Sequence, residues 1–465
     1  MNSIRFNIIF TISILLVLNC TEKESAAVNY KPYQSVDYTL SGQDEAFLDT
    51  LQFYTLQYFL EEINPELGLV KDRSSATSPA SIAAMGFAVP AWVIGVERGW
   101  MERYQAVQYT LNMLNFLMTS SQSEDELATG YKGFYYHFLD MEKGQRQWKC
   151  ELSTVDTAWL IAGLRFAAQY FDRGDDNEAL LRKLVDDLTL RIDWDWFTLS
   201  EQSEYPFTLS MGWHPEKGFN SHGWRGFNEA LYIYALAAGS GMTKAKEGYQ
   251  TWLSYYRWDE PYPGMAHALF EPLFGHQYSH LFIDFRGIAD NYMRTKNIDY
   301  FENARRATLT QRLYGRDNPM KWTGYDSLTW GWTACDGPGR EFNFDDRTFR
   351  TYSARGNAGP DHIEYDDGTI APTAAGGSLP FAPQETLAAL KHMKQMYGKK
   401  GLWGKYGFLD SFNPTLNWYN KDYLGIDQGP IIIMAENLRS GLIWKYSMKD
   451  PLLRKGLEII GFQSL

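Results

Sequence analysis

Residues 211–238 read MGWHPEKGFNSHGWRGFNEALYIYALAA, a loop rich in glycine, histidine and tryptophan that passes directly into an apolar segment. From Asn228 onward the apolar residues are dense enough to predict a largely buried helix, which Asn228 or Ser221 could cap. Glu229 stands at this junction. A carboxylate held there among aromatic and histidine side chains suits the binding of a polyhydroxylated ligand, although a glutamate in a first helical turn can also simply complement the helix dipole.

The rest of the chain repeats this alternation of loop and apolar helix. Periodic apolar residues predict twelve helices, at residues 43–62, 81–96, 102–119, 153–171, 177–192, 228–238, 243–255, 278–295, 298–313, 383–397, 429–444 and 450–459. Short and long connections alternate between them, which predicts an all-α fold of six helical hairpins closed into a ring. The long connections should gather at one end and carry the functional site, with short hairpin strands at 134–139, 347–353 and 363–370.

The first twenty residues, MNSIRFNIIFTISILLVLNC, have the features of a secretory signal: one basic residue, Arg5, and an apolar run too short to span a membrane. Because the run stops at Cys20, we expect a lipoprotein signal peptide at 1–20 with Cys20 lipidated. Asn19 is large for the position before such a cysteine, so plain secretion stays open. Residues 21–42 are polar and predict a flexible tether, and 43–465 predict a single domain without a linker. The expected location is the periplasm or cell surface, with membrane contact only through the lipid anchor.

The amino-acid composition of the chain indicates which classes of ligand it can bind. A net charge of −12 argues against nucleic acid, which needs basic patches. The 16 Trp and 30 Tyr offer flat apolar faces with one polar atom each, a combination that suits sugars, although large cores also use aromatic residues. Cys150 and Cys335 could pair in an oxidising compartment, but the sequence does not settle this, nor the oligomeric state.

Several common catalytic classes lack their motifs. The chain has no G-x-S-x-G elbow, no phosphate-binding loop and no dinucleotide fingerprint. His276, His280 and Asp284 are spaced to share one helical face, but without a neighbouring glutamate or cysteine they make a weak zinc pattern. We therefore expect no metal and no cofactor.

Isolated carboxylates in aromatic or glycine-rich settings do recur. Examples are Glu151 and Asp156 in KCELSTVDTAW, Glu229 in GFNEAL and Asp427 in GIDQGP. Cleavage of a glycosidic bond needs two such groups, one protonated and one that activates water or attacks carbon. Tryptophans beside glycines, Trp330, Trp332 and Trp403 with the nearby Tyr406, are candidates for sugar-stacking platforms, or for plugs of the helical core.

Several of these motifs, in order along the chain, resemble one family. They are SHGWRGFNEAL (221–231), PLFGHQYSHLFIDFRGIAD (272–290), WGWTACDGPG (330–339), DGTIAPTAAGGSLPFAPQE (367–385) and GIDQGPIIIMAENLRSGLIW (425–444). Together they are similar to the glucoamylase-like family and to its bacterial β-1,2-glucanases of glycoside hydrolase family 144. The resemblance implies an (α/α)6 toroid, cleavage of β-1,2-glucan with inversion at the anomeric carbon, either endo-acting or releasing sophorose from a chain end, and no metal.

The resemblance also implies roles for residues. Glu229 is the expected general acid, and Asp156, Glu151 and Asp427 form the pool that supplies the base or a water-positioning group. The expected substrate-binding residues are Arg73, His222, His276, His280, Trp330, Trp332, Trp403 and Tyr406. Two alternatives remain: a non-catalytic glycan-binding lipoprotein, and hydrolysis of another glucan or of a glycosylated small molecule on the same scaffold.

Overall fold

The structure is a computed structural model that describes residues 38–465. The predicted signal peptide, Cys20 and most of the predicted tether therefore lie outside the described residues. Within 38–465, no helix combines the length and the apolar character that crossing a bilayer would need.

Helices dominate the described chain. They are α1 Gly42–Glu61, α2 Ile82–Glu97, α3 Arg103–Thr119, α4 Thr154–Tyr170, α5 Asp176–Leu190, α6 Trp194–Phe197, α7 Leu231–Gly239, α8 Ala245–Ser254, α9 Tyr278–Phe282, α10 Asn291–Lys296, α11 Tyr300–Asp317, α12 Pro372–Gly376, α13 Pro383–Tyr397, α14 Gly425–Arg439, α15 Leu442–Ser447 and α16 Pro451–Ile459. Short 3₁₀ turns occupy Leu273–His276 and Gly398–Lys400.

Six of these helices form an inner ring in the order α2, α4, α7, α9, α12 and α14, which closes back on α2. Tyr232 N donates to Ser279 Oγ at 3.1 Å between α7 and α9, and Gln277 Nε2 donates to Ala374 O at 2.7 Å between the start of α9 and α12. Their apolar residues are buried almost all round; in α2 every residue from Ile82 to Gly95 is buried. Helices α1, α3, α5, α8, α11 and α13 pack outside them and bury one face each, as amphipathic helices do. This is the predicted (α/α)6 toroid, and the fold prediction is confirmed.

The strands are short and lie in the long loops. One five-stranded antiparallel sheet joins Gly130–Tyr131, Phe134–Tyr136, Leu152–Ser153, Gly212–His214 and Gly218–Phe219 in that order. Two-stranded antiparallel pairs join Ile63–Asn64 with Leu69–Val70, Ala80–Ser81 with Phe138–Leu139, Trp258–Asp259 with His267–Ala268, Ile288–Ala289 with Gln463–Ser464, Ala334–Cys335 with Ser353–Ala354, Asn343–Phe344 with Arg347–Thr348, Gly356–Asn357 with Ile363–Tyr365, Trp403–Gly404 with Gly407–Phe408, and Phe412–Asn413 with Trp418–Tyr419.

Two predicted helices are wrong in detail. The helix expected at 278–295 is broken into α9 and α10, because Gly287 adopts φ +76° and the Asp290 side chain caps a new helix by accepting from Met293 N at 2.8 Å. The helix expected at 429–444 begins earlier, at Gly425, and ends at Arg439. Gly441, at φ +66°, then starts α15.

The boundary of the predicted tether also shifts. Ser41 caps α1: its hydroxyl accepts from Asp44 N, and its own N–H donates to the Asp44 carboxylate at 2.8 Å. The Tyr38 hydroxyl donates to the same carboxylate at 3.1 Å. Residues 38–42 therefore belong to the folded domain.

The two cysteines of the described chain are both buried and free, so the open question of a Cys150–Cys335 disulfide is answered against pairing. The Cys150 thiol instead hydrogen bonds to Phe138, accepting from its N–H at 3.3 Å.

Candidate active site

The candidate site lies where the inner helices begin. Residues at or just before these helix starts include Ser81, Asp156, Glu229, Tyr278, Thr373 and Asp427. Hydrogen bonds join these helix starts: the Tyr278 hydroxyl of α9 donates to Ile426 O of α14 at 2.8 Å, and Ser279 Oγ of α9 donates to Glu229 O beside α7 at 2.9 Å. Because the amino ends of helices attract negative charge, this end of the ring suits a cluster of carboxylates.

Glu229 lies in a turn immediately before α7, so the predicted helix start at Asn228 is three residues too early. The Asn228 side chain accepts from Ala230 N at 3.0 Å and holds this turn. Glu229 is 8% exposed, and its Oε2 is buried without a hydrogen-bond partner. Burial, with a smaller contribution from the negative charge of Asp156, raises the pKa of Glu229 to about 7. A large fraction of this carboxyl is therefore protonated near neutral pH, as a general acid requires.

His137 joins two of the predicted catalytic carboxylates. Its Nδ1 lies 2.9 Å from Glu151 Oε1 and 3.7 Å from Asp156 Oδ2. Burial alone would lower the pKa of His137, but the charges of Asp156 and Glu151 raise it to about 9. Burial would likewise raise the pKa of Glu151, yet the bond to His137 outweighs it and the pKa is lowered. Glu151 is thus ionised beside an imidazolium, whereas burial keeps the pKa of Asp156 raised.

The same three side chains could in principle hold a metal ion. One ligand atom from each lies within 4.8 Å of the others. A metal would have to displace the proton that His137 holds between the two carboxylates, because a metal-bound imidazole is neutral. The expectation of no metal stays a prediction.

A second carboxylate pair forms at the start of α14. The carboxyl groups of Asp410 and Asp427 interact electrostatically, and Asp410 Oδ1 and Asp427 Oδ2 are both buried without a donor in the described chain. A hydrogen bond between the two carboxyl groups requires a proton on one of them. Asp410 Oδ2 accepts from Asn420 Nδ2 at 2.6 Å and from Asp336 N at 2.9 Å, which favours the ionised form of Asp410. Burial raises the pKa of Asp410 to about 6 and that of Asp427 well above its ordinary value. Asp427 therefore holds its proton more strongly than an ordinary carboxyl does, and its hydrogen-bond donors make Asp410 the member of the pair that ionises more readily.

Arg73 supplies the positive charge beside this pair. Its Nη1 lies 2.8 Å from Asp336 Oδ2, and its Nε lies 3.2 Å from Asp72 Oδ2. An antiparallel bridge between Arg73 and Leu424 ties the loop before α2 to the start of α14. The protein thus orients the Arg73 guanidinium beside the carboxylates, and its role in substrate binding stays a prediction.

A small cavity lies at the Asp427 end of the site. It measures about 60 Å³ and is lined by Phe274, Gln277, Tyr278, Thr333, Ala334, Tyr352, Thr373, Ile426 and Asp427. Tyr278 interacts electrostatically with Asp427, Glu229 and Asp156, so its hydroxyl lies between the two groups of carboxylates. Tyr352 is 53% exposed, yet burial of its hydroxyl and the charges of Asp410 and Asp427 raise its pKa. Tyr352 lies in a loop and lines the cavity.

Four of the predicted substrate-binding residues are buried. Trp330 and Trp332 are 0% and 1% exposed, and His276 and His280 are 1% and 3% exposed. Trp332 Nε1 donates to the Tyr325 hydroxyl at 2.8 Å, and burial lowers the pKa of His280 to about 3. None of the four offers a ring face to a ligand, and direct substrate binding by these side chains does not fit their burial.

The remaining three predicted residues lie away from the carboxylates. Trp403 packs against Tyr54, with Lys394 Nζ 3.9 Å from its ring centre. The Tyr406 hydroxyl donates to Glu62 Oε1 at 2.8 Å. His222 is exposed on the loop that leads to Glu229.

The sequence-based reasoning did not select His137, Asp410, Tyr278 or Tyr352 for the site. His137 lies in FYYHFL, which reads as a strand, and Asp410 in GFLDSF, which reads as an ordinary turn. Their importance comes from neighbours that are distant in the chain. The signal available was the density of aromatic residues around each, which is too common to single them out.

Comparison with known proteins gives the site its context. Residues 221–451 match a family model described as "Putative glucoamylase". A crystal structure of a "putative glucoamylase" from Bacteroides uniformis is 33% identical, with a TM-score of 0.78, and the match covers 92% of this chain and 99% of that one. The chain belongs to this glucoamylase-like family.

Two further members of the family have more specific descriptions. An endo-β-1,2-glucanase from Chitinophaga pinensis, solved with sophorotriose and glucose, is 29% identical over 92% of this chain and 99% of that one, with a TM-score of 0.77. An exo β-1,2-glucooligosaccharide sophorohydrolase from Parabacteroides distasonis is 29% identical over 453 residues, which is 90% of this chain. The match spans only 58% of the length of that curated relative.

Proposed function

We propose that the protein is a glycoside hydrolase that cleaves β-1,2-glucan with inversion at the anomeric carbon. The observation that carries the proposal is Glu229, a buried carboxyl with a pKa of about 7 and an unpartnered oxygen, close to further carboxylates at the mouth of the ring. The activities of the relatives from Chitinophaga pinensis and Parabacteroides distasonis support the choice of linkage.

In the proposed reaction Glu229 protonates the glycosidic oxygen as the bond to the anomeric carbon breaks. A water attacks that carbon from the opposite face and gives up a proton to a base. Asp427 is our choice for the group that takes this proton because it lines the small cavity beside Asp410. As Asp427 takes a proton from the water it passes its own proton to the ionised Asp410, so that the pair accepts one proton in all.

Glu151 and Asp156 then act on the acid side. The negative charge of Asp156 raises the pKa of Glu229, and the imidazolium of His137 keeps Glu151 ionised. These carboxylates suit hydrogen bonding to sugar hydroxyls and stabilisation of the positive charge that develops on the sugar ring.

Endo action is the main proposal. Two open cavities adjoin the acid side of the site: one of about 500 Å³ beside the loop that precedes Glu151, and one of about 480 Å³ beside the turn that carries Glu229. A glucan chain could extend into both, as internal cleavage requires. Release of sophorose from a chain end is the alternative, which the sophorohydrolase relative supports.

Product analysis tests the proposal. Protein lacking residues 1–20 is incubated with linear β-1,2-glucan beside β-1,3-, β-1,4- and α-1,4-glucans and sampled early. A ladder of oligosaccharides from β-1,2-glucan alone supports endo action, and sophorose alone supports exo action. NMR of the fresh product should show the α-anomer. If no glucan is cut but one is retained on a native gel, the protein is a glycan-binding protein. The catalytic roles proposed for Glu229 and Asp427 are then wrong.

Chemical rescue tests the choice of base. Asp427→Ala should lower kcat on the order of 10²-fold or more, because the attacking water loses its proton acceptor. Azide, which needs no base, should restore turnover and give a glycosyl azide of inverted configuration. Glu151→Ala is the matched variant, and rescue by azide in Glu151→Ala but not in Asp427→Ala would transfer the role to Glu151.

We further propose that the mature protein begins at Cys20 and is held by lipid at the periplasmic or outer face of a membrane. Metabolic labelling with a fatty acid should mark the wild-type chain and leave Cys20→Ser unlabelled.

A further inference from the structure

Trp148 is presented to solvent by a rigid loop. It is 65% exposed, and both Trp148 (φ +54°) and Lys149 (φ +51°) adopt the left-handed backbone conformation that is unfavourable for large side chains. Arg146 fixes the loop, because its Nε donates to Cys150 O at 2.7 Å and its Nη1 pairs with Glu216 at 2.8 Å. An indole held outward in this way at a conformational cost contributes little to packing.

The cavity of about 500 Å³ lies beside this tryptophan. Its lining combines the Trp148 side chain with hydroxyl, amide and charged groups, which include Thr77, Ser78, Asp140, Lys143 and Gln145. One flat apolar face surrounded by hydrogen-bonding groups matches a pyranose ring, which has an apolar C–H face and hydroxyls around its edge. The volume lies within the range of small-molecule sites.

Residues on two sides of this cavity contact residues of the candidate active site. On one side the ring centres of Trp148 and Phe138 are 5.2 Å apart, and the Phe138 ring stacks on the His137 ring with their centres 3.9 Å apart. On the other side Ser78 Oγ accepts from Arg73 N at 3.0 Å. The cavity is therefore one or two residues away from both the His137 group and Arg73.

We propose that the Trp148 cavity is a distal binding site for glucosyl residues of the substrate chain, with one sugar ring stacked on the Trp148 indole. The site would hold a part of the chain remote from the bond that is cleaved, so that long chains are preferred over short ones. This proposal rests on the proposed function as a glucan hydrolase.

The test is the dependence of kcat/KM on chain length. The ratio of kcat/KM for long β-1,2-glucan to that for the shortest oligosaccharide cleaved should fall about tenfold in Trp148→Ala, through KM for the long chain. Tyr104→Ala is the matched control, since Tyr104 is 67% exposed at the opposite end of the ring, near the start of α3. Its ratio should equal that of the wild type. An unchanged ratio in Trp148→Ala overturns the proposal.

Direct binding separates this proposal from the proposed function. On native gels that contain β-1,2-glucan, the wild type should be retarded and Trp148→Ala less so, whether or not the chain is cleaved. If the wild type cleaves no glucan but shows this difference, the hydrolase proposal fails and the sugar-binding cavity stands. Equal retardation of the two proteins overturns the cavity.

Discussion

At the scale of single residues, burial of Glu229, the proposed general acid, costs stability at high pH. Its pKa rises from 4.5 to about 7 on folding, so ionising it above pH 7 works against the folded state. The stabilising contribution of this group is complete below pH 4.5 and is lost as the pH rises through 7. We expect Glu229→Gln to lower kcat at least 10²-fold and to raise the free energy of unfolding at pH 8 by about 3 kcal/mol, because each pKa unit is worth about 1.4 kcal/mol.

Urea unfolding at pH 8 and pH 4.5 measures this effect. The difference between the wild type and Glu229→Gln should fall below about 0.5 kcal/mol at pH 4.5, where the wild-type carboxyl is protonated in the folded state and half protonated in the unfolded state. A gain of equal size at both pH values would mean that the glutamine improves packing and that the raised pKa is not the cause.

The protonated state of His137 makes a second prediction at this scale. An imidazolium between Glu151 and Asp156 leaves no lone pair for a metal on the nitrogen that faces them. Dialysis against EDTA should therefore leave kcat within twofold of the untreated enzyme, and added zinc should not raise it. Loss of activity in EDTA with recovery on addition of one metal would reassign the three side chains as ligands.

A local pattern in the sequence is enough to select a candidate carboxylate, but it does not show which aromatic side chains are buried. Glu229 could be selected because a carboxylate beside a Gly-rich loop and a buried helix is visible in the chain. Trp330 and Trp332 have the same glycine-flanked setting, yet both are buried. Whether a loop tryptophan faces solvent or the core depends on segments far away in sequence, such as α11, and local pattern does not contain that information.

At the scale of elements, the contact between α2 and α4 depends on two glycines. A Cβ on Gly163 would lie 1.9 Å from Gly86 O, so the two helix backbones touch. Gly163→Ala should destabilise the protein by about 1–3 kcal/mol, since overpacking outweighs the better helix propensity of alanine. Gly174→Ala is the control, because a Cβ there meets nothing within 4 Å. Thermal unfolding of both variants checks this, and equal Tm values would show that the helices can move apart freely.

The helices that could be predicted well from the sequence are those with an uninterrupted apolar periodicity between clear start and stop residues. Helix α13 was predicted with its observed bounds, because Pro383 starts it and Gly398 follows it. The failure at 278–295 has the opposite cause. Apolar residues continue through Gly287, but the glycine and the Asp290 cap interrupt the backbone without interrupting the hydrophobic pattern. Short inner helices such as α12 were missed because they are too brief to show a period.

At the scale of the whole molecule, the ring could be predicted because it needs only the number of helices and the alternation of loop lengths. What the sequence could not supply is the arrangement within the ring, since that depends on contacts between distant helices. Asp410 and Asp427 are far from Glu229 in the chain, and closure of α14 on α2 brings them to the same end. The proposed acid and base thus come together only when the ring closes.

A buried ion pair between Arg165 and Asp450 joins α4 to the start of α16. Arg165 of α4 is 5% exposed, and its Nε and Nη2 each lie 2.5 Å from the carboxylate of Asp450, which also caps α16. Asp450→Asn keeps the capping group but leaves the buried guanidinium without its main partner. We expect a loss of about 3–5 kcal/mol in the free energy of unfolding. Glu247→Gln, which breaks the exposed pair with Lys244, should cost less than about 1 kcal/mol. Urea denaturation of both variants compares them directly. Equal small losses would mean that the ring holds together through apolar packing of α16 on α7 alone.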